Sequence, residues 1–460
     1  MRMRIRHVVL ASLSAALAVT AATGAPAPVT AAEILVIAHR GASAFRPEHT
    51  LEAYKLAIDQ GADFIEPDLV VTKDGVLIAR HENELGGTTD VSDRPEFAHR
   101  FTTKIIDGDT FTGWFAEDFT LAEIKTLKAR ERIPGVRPDN TAFDDQFEIP
   151  TFREIIELVQ QVEADTGRKI GVYPETKHPT FFADEGAFLD GTAINIKLGV
   201  PLVQDLVDTG FTDPERVFIQ SFEFANLIEL QNDIMPVAGI DIPLVQLYGD
   251  VEDRFINAVG GGFSVPYDFA YNLRTAASVD DLKGVYGDPL VDLLGIAPGG
   301  TVTYADLNDP AVFALIKDLY AEGIGPWKNS FLLRESLDEP VDGDGDGVAQ
   351  ITTQLTGEIG DLLAWAQAEG LLVHPYTLRP EEVFLTLDPE GNVLTQDREI
   401  MLLAGLVVGG MQLPQAVDGF FIDDPLAGRT VLNAIPEPAT TALLGLGVLS
   451  LFALRRRVAR

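Results

Sequence analysis

Short apolar runs alternate with helix-like segments along most of this chain, and this alternation limits the possible folds more than any other feature. The runs that read as strands are EILVIAH, FIEPDLV, VLIARH, KIGVYPE, RVFIQSF, IPLVQLY, LLVHPY and DGFFID. Other segments place apolar residues at helical spacing and end in glycine: TLEAYKLAIDQG, TFREIIELVQQVEADTG, DPAVFALIKDLYAEG and TGEIGDLLAWAQAEG. Alternation without repeats over about 400 residues predicts a parallel sheet of the α/β class. We therefore predict one TIM (β/α)8 barrel with insertions rather than several small domains.

Two polar stretches interrupt the alternation. The first, roughly residues 84–147, follows His81, and we predict that it forms a cap inserted into the barrel. The second runs from about residue 251 to residue 309 and is rich in Gly, Asp and Tyr. The first stretch holds Phe111, Trp114 and Phe115, which we expect to pack the insertion. A cation–π contact between these rings and a cationic ligand stays open.

The chain begins with a segment that does not belong to the barrel. MRMRIRH is basic, VVLASLSAALAVTAA is apolar, and small residues follow up to Ala31 and Ala32. This order is typical of a secretory signal peptide, with cleavage near those two alanines. We therefore assign residues 1–32 to a leader and residues 33–434 to the barrel domain.

The last segment, residues 435–460, is equally distinct. It holds a Pro-Glu-Pro, a short apolar stretch from Ala439 to Leu454 and a basic cluster. This order resembles the PEP-CTERM sorting tail, which a membrane peptidase processes near the Pro-Glu-Pro. A plain C-terminal membrane anchor is the alternative, although a spanning helix needs about 20 apolar residues. The sequence leaves open whether the tail is cleaved and the protein released or retained.

Removing both ends makes an acidic chain more acidic. The leader carries three arginines and the tail after Glu437 carries four, with no acidic residue in either, so the formal net charge falls from −35 to −42. Such a surface repels nucleic acids and anionic membranes. The chain has no cysteine, and a core of this size needs no disulfides. We expect an exported protein, in the periplasm, at the cell surface or outside the cell, that does not bind nucleic acid.

Carboxylates lie at the ends of predicted strands. Glu66 and Asp68 are two residues apart in FIEPDLV, so both project to one face of the strand. Glu175 ends KIGVYPE, and Lys177 lies on the same face. Because the C-terminal ends of barrel strands face the active site, these acids should meet where a cation offsets their repulsion. Oxygen ligands favour a hard cation, Ca²⁺ or Mg²⁺; for the Glu66–Asp68 pair alone, a solvated strand end is the alternative.

Two histidines, His39 and His81, each end an apolar run. One such histidine would more often be structural, but two beside an acidic pair indicate proton transfer, since imidazoles titrate near neutral pH. Arg40, next to His39, has a planar fork that fits phosphate oxygens. In a chain this acidic, Arg40, Lys177 and a bound metal would create a local site for an anion.

The stretch IAHRGASAFRPEHTLEAYKLAIDQGADFIEPDLVVTKDGVLIARHE is very similar to the opening signature of the glycerophosphodiester phosphodiesterases, above all their periplasmic bacterial branch. That signature runs H-R-G, P-E-[N/H]-T, E-x-D, and then a histidine after the next strand. The later pieces YPETK, FIQSF, LVHPYT and GFFIDDP also agree, so the similarity covers roughly residues 34–432. It implies a TIM barrel with a cap and metal-dependent hydrolysis of glycerophosphodiesters, such as glycerophosphocholine or glycerophosphoethanolamine, to sn-glycerol 3-phosphate and an alcohol.

The resemblance also implies roles for individual residues. The acid–base pair would be His39 and His81, and the metal ligands would be Glu66, Asp68 and Glu175. Phosphate would be contacted by Arg40 and Lys177, and Glu48 would lie near the substrate glycerol. One divalent cation, with Ca²⁺ favoured over Mg²⁺, would act as Lewis acid on the phosphate oxygens. In the usual scheme the glycerol hydroxyl attacks phosphorus while one histidine takes its proton and the other protonates the leaving alcohol.

The remaining histidines have less specific contexts. His49 occupies a slot where many relatives have Asn, and we expect it to hold the turn before the helix that begins at Thr50. His374, in VHPY at a strand end, is a candidate for lining the pocket, and the assignment of His178 stays open. His99 lies in the predicted cap and is expected to be structural.

An acidic loop, VDGDGDGVAQITT, places Asp342, Asp344 and Asp346 at positions 1, 3 and 5 of a Ca²⁺ loop, with Gly347 at position 6. Position 12 is Thr353, where the EF-hand motif has Glu. A second, structural Ca²⁺ and a flexible acidic loop without metal therefore both stay open.

Two other functions also stay open. A lysophospholipase D-like enzyme on the same fold would act on a lipid that keeps one acyl chain, and a longer apolar groove would favour it. A non-catalytic surface or matrix binding protein is compatible with the sorting tail, but the complete set of histidines, acids and cations argues against it. The expected partners are a small-molecule substrate and the sorting peptidase, and the sequence does not give the oligomeric state.

Overall fold

A computed structural model of the protein describes residues 34–255 and 259–436. The predicted leader and nearly all of the predicted tail lie outside these residues. In the described part of the chain, no helix combines the length and the apolarity that a membrane crossing requires.

The secondary structure alternates as the sequence predicts, with additional short strands. The strands are β1 (Leu35–His39), β2 (Phe64–Glu66), β3 (Asp68–Val71), β4 (Leu77–Ala79), β5 (Thr102–Ile106), β6 (Asp109–Gly113), β7 (Gly171–Val172), β8 (Glu175–Thr176), β9 (Ile219–Ser221), β10 (Leu244–Tyr248), β11 (Gly323–Pro326), β12 (Leu332–Val341), β13 (Ile351–Ile359), β14 (Leu372–Val373), β15 (Thr386–Leu387), β16 (Val393–Leu394) and β17 (Gly419–Ile422). The helices are α1 (Leu51–Asp59), α2 (Leu121–Ile124), α3 (Phe152–Thr166), α4 (Gly199–Asp208), α5 (Phe224–Glu229), α6 (Met235–Ala238), α7 (Tyr267–Thr275), α8 (Val279–Tyr286), α9 (Asp288–Leu294), α10 (Tyr304–Leu307), α11 (Pro310–Leu319), α12 (Leu362–Ala368), α13 (Gln396–Leu403) and α14 (Pro425–Ala434).

The helix signals in the sequence act as capping groups in the structure. Thr50 caps α1 by accepting a hydrogen bond from the Ala53 amide. Thr151 and Glu154 form a reciprocal capping box at the start of α3, and Gly167 ends that helix with a φ of 72°. These local bonds satisfy amides and carbonyls that a helix terminus leaves unpaired, so the boundaries follow from the sequence.

The parallel strands close into a TIM barrel. Its order is β1, β2 continued across Pro67 by β3, β7 continued by β8, β9, β10, β11, β14 and β17. The last strand returns to the first, with Leu35 opposite Gly419. It also bonds to the region of β14, since the Asp418 amide donates to Val373. A closed barrel leaves no free sheet edge, and its loops at the C-terminal ends of the strands share one mouth.

Every second side chain of a barrel strand points into the barrel. The inward side chains at successive levels form two layers among the described residues. The lower layer is apolar and aromatic and contains Ile37, Phe64, Tyr173, Phe218, Val245 and Phe421. Two residues further along the same strands, on the same inward face, lie His39, Glu66, Glu175, Gln220, Leu247 and Asp423. The apolar layer closes the base of the barrel, so the polar layer faces the mouth.

Two strands differ from the simplest interpretation of the apolar runs. VLIARH forms β4, which pairs antiparallel with β3 and lies outside the barrel. The barrel uses β11 instead, whose sequence Gly-Ile-Gly-Pro is not an apolar run. Glycine is required at Gly323 because a Cβ there would lie 2.9 Å from the carbonyl oxygen of Leu372 on the neighbouring strand. The residues of this strand are therefore determined by close packing against the neighbouring strand and not by side-chain hydrophobicity.

The predicted helix TGEIGDLLAWAQAEG is wrong in its first third. Residues 356–359 belong to β13, and α12 begins only at Leu362. β13 pairs antiparallel with β12 over most of its length and joins β15 and β16 in a second, smaller sheet. Between β4 and α3 the chain forms the β5–β6 hairpin and short helical turns, in the stretch where a cap was expected.

Candidate active site

Three acidic side chains converge at the mouth of the barrel. Glu66 ends β2, Asp68 begins β3, and Glu175 begins β8 directly opposite Asp68 in register. All three are buried, and one oxygen from each lies within 4.8 Å of the others. The structure thus brings together the residues that the sequence proposed as metal ligands.

The electrostatics of this cluster call for a cation. Burial and then the neighbouring carboxylates raise the pKa of Glu66 well above its usual range. Burial, and to a smaller degree Asp68, raise the pKa of Glu175 to about 7, although Lys177 opposes this. Asp68 Oδ1 is buried and has no hydrogen-bond partner among the described residues. Buried carboxylates that repel each other, one with an unsatisfied oxygen, fit a hard divalent cation.

His49 orients Asp68 through a side-chain hydrogen bond. It is fully buried, and its Nε2 lies 2.9 Å from Asp68 Oδ2 while its Nδ1 lies 2.7 Å from the Tyr54 hydroxyl. Burial lowers the pKa of His49, so the ring is neutral, donates from Nε2 and accepts the tyrosine proton at Nδ1. Burial alone would raise the pKa of Asp68, but His49, Lys177 and Arg40 hold it well below its usual value. The expected turn-holding role of His49 thus includes a direct contact with the acidic cluster.

Arg40 ties the acidic cluster to the first strand. Its backbone is left-handed, with a φ of 60°. The Arg40 amide donates to Glu66 Oε2 at 2.7 Å, and its guanidinium lies 3.0 Å from Glu48 and 3.3 Å from Asp68. Glu48 is buried behind Arg40 and, in the part of the chain that the structure describes, does not line the cavity. Arg40 itself does line it.

The two histidines at strand ends each bind a carboxylate through Nδ1. His39 Nδ1 lies 2.6 Å from Asp423 Oδ1, and His81 Nδ1 lies 2.6 Å from Glu82 Oε1. Burial first, and then the charge of Arg40, lower the pKa of His39 to about 4 despite Asp423. Burial, Arg40 and Lys177 likewise lower the pKa of His81. Both rings are therefore neutral at pH 7 in the free protein and donate one N–H to their carboxylate.

Lys177 links the second histidine to the acidic cluster. Its ammonium group lies 2.9 Å from Glu175 Oε1 and 3.2 Å from His81 Nε2. Although burial opposes it, the charges of Glu175 and Asp68 raise the pKa of Lys177, so the lysine stays positive. An ammonium group has three N–H bonds, and these two contacts leave one for a further acceptor.

These groups surround one cavity of about 370 Å³. His39, Arg40, His81 and Lys177 line it together with Glu66 and Glu175. Its outer wall is aromatic and acidic, and is built from Phe222, Phe263, Tyr267, Tyr304, Tyr376, Asp107, Asp109 and Glu223. Three aromatic residues of the insertion do not line this cavity. They pack in or against the hydrophobic core, as the sequence predicts, and are Phe111, Trp114 and Phe115.

Other predicted residues lie elsewhere. His374 is buried in the lower barrel layer, 2.9 Å from the Tyr173 hydroxyl, so the prediction that it lines the pocket is wrong. His99 is exposed on a helical turn of the insertion. The aspartates of the predicted Ca²⁺ loop, Asp342, Asp344 and Asp346, lie between β12 and β13, away from the cavity.

The sequence interpretation did not assign roles to several residues that complete the site. Asp423 bonds His39 and also accepts from Arg137 at 2.5 Å. Gln220 donates to Glu66 Oε1 at 3.1 Å, and His178 bonds Glu82 and Asp107. Asp423 and Gln220 each follow an inward aromatic residue by two positions, in GFFIDDP and RVFIQSF. That spacing was the available signal.

Comparison with known proteins identifies the family to which the chain belongs. The model of the glycerophosphoryl diester phosphodiesterase family matches residues 39–261. A glycerophosphodiester phosphodiesterase of Arabidopsis thaliana is 33% identical over 360 residues, which are 76% of this chain and 76% of that protein. A glycerophosphodiester phosphodiesterase of Haemophilus influenzae is 32% identical over 276 residues, 58% of this chain and 68% of that one.

A solved phosphodiesterase of Oleispira antarctica, in complex with sn-glycerol-3-phosphate, is 17% identical, with 88% of this chain and 100% of that chain covered and a TM-score of 0.46. The PEP-CTERM protein-sorting motif matches residues 434–457 and indicates export and sorting to the surface. Because these relatives match this chain over most of their length, the chain belongs to the glycerophosphoryl diester phosphodiesterase family.

Proposed function

We propose that this enzyme hydrolyses glycerophosphocholine and glycerophosphoethanolamine to sn-glycerol 3-phosphate and an alcohol, with His39 and His81 as the acid–base pair. The observation that carries the proposal is the shared cavity, in which both histidines, Arg40 and Lys177 stand around the buried carboxylates. In a chain with a net charge of −35, a cavity lined by Arg40, Lys177 and Arg379 favours an anionic substrate.

The carboxylates Glu66, Asp68 and Glu175 would hold one divalent cation, which when bound supplies Lewis-acid polarisation of the phosphate oxygens. Their oxygen-only donor set and the unpaired Oδ1 of Asp68 support this assignment. We favour Ca²⁺ over Mg²⁺ because an exported enzyme meets Ca²⁺ at concentrations where extracellular sites bind, with Kd values of about 10⁻⁴–10⁻³ M.

The chain's own cations would bind and orient the phosphodiester. Arg40 is held by Glu48 and Asp68, so its fork is fixed before substrate arrives. Lys177 keeps one N–H bond for a phosphate oxygen. Groups that are fixed in advance lose little entropy on binding and little reorganisation energy in the transition state.

The two histidines would then transfer the protons. Each Nδ1 is held by a carboxylate, so in each ring Nε2 is the nitrogen that exchanges a proton with substrate. One ring takes the proton of the glycerol hydroxyl as its oxygen attacks phosphorus, and the other protonates the oxygen of the leaving alcohol as its bond to phosphorus breaks. Water then attacks the resulting cyclic phosphodiester and gives up a proton to one ring, while the other ring protonates the glycerol oxygen that is released, which yields sn-glycerol 3-phosphate. The bound phosphodiester anion favours the protonated form of the ring beside the leaving oxygen, which burial disfavours in the free protein.

The outer wall of the cavity favours a cationic headgroup. Phe222, Tyr267 and the other rings of the wall offer aromatic faces, and Asp107 and Asp109 add negative charge beside them. Aromatic faces and carboxylates both attract ammonium groups. A lysophospholipase D-like activity would instead need room for an acyl chain beside the same site.

The test is release of sn-glycerol 3-phosphate from glycerophosphocholine by the purified protein, after chelation and after addition of Ca²⁺ or Mg²⁺. His39→Ala and His81→Ala should each lower kcat/KM by about 10²–10⁴-fold, the usual contribution of a general acid or base. His99→Ala, the same change at an exposed histidine, is the matched control and should retain full activity.

The outcomes separate the alternatives. Activity that returns with Ca²⁺ and requires both histidines supports the proposal. Release of choline from lysophosphatidylcholine but not from glycerophosphocholine would replace the substrate and keep the site. If all variants hydrolyse glycerophosphocholine equally, the two-histidine assignment is wrong.

The same proposal includes processing at both ends of the chain. We infer that residues 1–32 are removed on export and that a sorting peptidase acts near Pro436 and Pro438. The mass of the protein recovered from the cell surface tests both events. A mass that retains either segment contradicts the corresponding cleavage.

A further inference from the structure

The loop between β12 and β13 gathers acidic side chains around one point outside the catalytic cavity. Asp342, Asp344 and Asp346 occupy alternate positions of this loop, and Glu382 approaches them from a later part of the chain. One oxygen of each of the four lies within 4.8 Å of the others. The aspartates are exposed, whereas Glu382 is only 8% exposed.

Glu382 contacts the loop through one carboxylate oxygen, and its other oxygen is unsatisfied among the described residues. It begins a short helical turn, Glu382–Phe384, and one of its oxygens accepts a hydrogen bond from the Gly343 amide. The other oxygen, Oε2, is buried and has no hydrogen-bond partner among the described residues. A buried carboxylate oxygen without a donor is costly, and a cation bound between it and the three aspartates would offset that cost.

The protein itself does not supply that cation within the described residues. Arg379, the nearest arginine in the sequence, pairs with Asp423 at 3.3 Å. Over residues 34–255 and 259–436, no lysine, arginine or histidine forms an ion pair with any of the four carboxylates. A cation from solution can therefore reach these carboxylates without displacing a protein cation.

Backbone amides of the loop hold Asp342 in place. Asp342 accepts hydrogen bonds from the amides of Gly345, at 2.7 Å, and Gly347, at 2.9 Å. A Cβ at Gly343 would lie 2.6 Å from Ile351 Cδ1 and 3.1 Å from Glu382 Oε1, so the start of the loop lies close to both residues. The loop thus has a defined conformation, although residues 342–349 are exposed.

The residue expected at position 12 of a Ca²⁺ loop does not take part. Thr353 lies within β13, and its hydroxyl is 2.9 Å from that of Thr386. Glu382, 29 positions beyond Thr353 in the chain, places a carboxylate beside the three aspartates. It therefore takes the place of the glutamate that the motif has at position 12.

We propose that Asp342, Asp344, Asp346 and Glu382 bind a structural Ca²⁺ that fixes the β12–β13 loop to the segment beginning at Glu382. Carboxylate oxygens on an irregular loop suit Ca²⁺, which accepts flexible coordination by six to eight oxygens, better than Mg²⁺, which requires near-octahedral geometry. This ion is separate from the one assigned to the barrel mouth and does not depend on the proposed reaction.

Equilibrium dialysis of the full chain against Ca²⁺ tests this site. The starting variant carries Glu66→Gln and Glu175→Gln, which removes two ligands of the barrel-mouth cluster, and its cooperative thermal unfolding establishes that it is folded. We expect this variant to bind one Ca²⁺ per chain. Adding Glu382→Gln should weaken that binding about tenfold or more, since ligand charge sets the affinity of such sites.

Glu358→Gln is the matched control, because Glu358 is exposed on β13 of the same hairpin and loses the same charge. It should bind Ca²⁺ like the starting variant. Calcium should also protect the 342–348 loop from proteolysis in the natural sequence and in Glu358→Gln, but not in Glu382→Gln. A folded starting variant that binds no Ca²⁺ overturns the proposal, as does equal binding with Glu382→Gln.

Discussion

Replacing Asp423 by asparagine isolates the link between the last barrel strand and His39. The amide has the shape of the carboxylate but no charge. Asp423 lies 2.6 Å from His39 Nδ1 and also accepts from Arg137. The substitution therefore removes the charge that stabilises His39 when the ring takes up a proton, while the cavity keeps its shape.

The size of the effect follows from that hydrogen bond. A hydrogen bond to a charged group contributes about 1.5–3 kcal/mol. If this stabilisation is lost from the transition state, kcat/KM falls by about 10- to 160-fold, since 1.36 kcal/mol corresponds to a factor of ten. The pH profile should shift as well. Asp423 raises the pKa of His39, which burial and Arg40 lower to about 4, so Asp423→Asn should lower this pKa further and move the acid limb to lower pH.

The assay is kcat/KM for glycerophosphocholine as a function of pH, with thermal unfolding as the test of folding. Glu381→Gln is the control, because Glu381 accepts from Arg137 at 2.6 Å without contacting His39. It should leave the acid limb in place. An acid limb that moves to higher pH in Asp423→Asn, or a loss of activity as large in Glu381→Gln, would refute the reasoning.

Three further changes test other parts of the site. His49→Ala leaves the buried Asp68 without its donor and should destabilise the fold by about 1–3 kcal/mol in urea unfolding, whereas an unchanged midpoint would contradict this. Burial alone would lower the pKa of His178, but Asp107 raises it to about 10. The protonated histidine therefore stabilises the fold fully below pH 6.5 and no longer does so above pH 10, and His178→Gln should lower the free energy of unfolding accordingly. The unfolding free energies of both proteins at those two pH values measure it, and a pH-independent difference would be inconsistent. Phe222→Ala removes part of the aromatic wall and should raise KM for glycerophosphocholine several-fold with kcat little changed, and should spare substrates with an uncharged headgroup.

The positions that follow strand periodicity could be predicted from the sequence. His39 follows Ile37 by two residues and Glu66 follows Phe64 by two, so an apolar inner layer places each polar residue at the mouth. No long-range information is needed for this, since alternation is a local property of an extended chain. The fold class and the acidic cluster follow from the same regularity.

Contacts that depend on how distant segments dock could not be predicted. Arg137 lies in the stretch between β4 and α3, yet it bonds Asp423 from 286 positions away. Glu382 completes the acidic loop from outside the motif, where the sequence directs attention to Thr353. β11 could not be predicted from hydrophobic runs, because its glycines are required by close packing of neighbouring strands and give no hydrophobic pattern.

The bond between His39 and Asp423 joins residues 384 positions apart, which gives the barrel an order of assembly in time. The sorting motif indicates export, and every chain is synthesised from its N-terminal end. The first strand and its histidine therefore arrive long before the strand that carries Asp423. Until that last strand docks beside β1, the barrel stays open and His39 lacks its anion. The His39–Asp423 pair therefore forms only after the last barrel strand has been made and has docked.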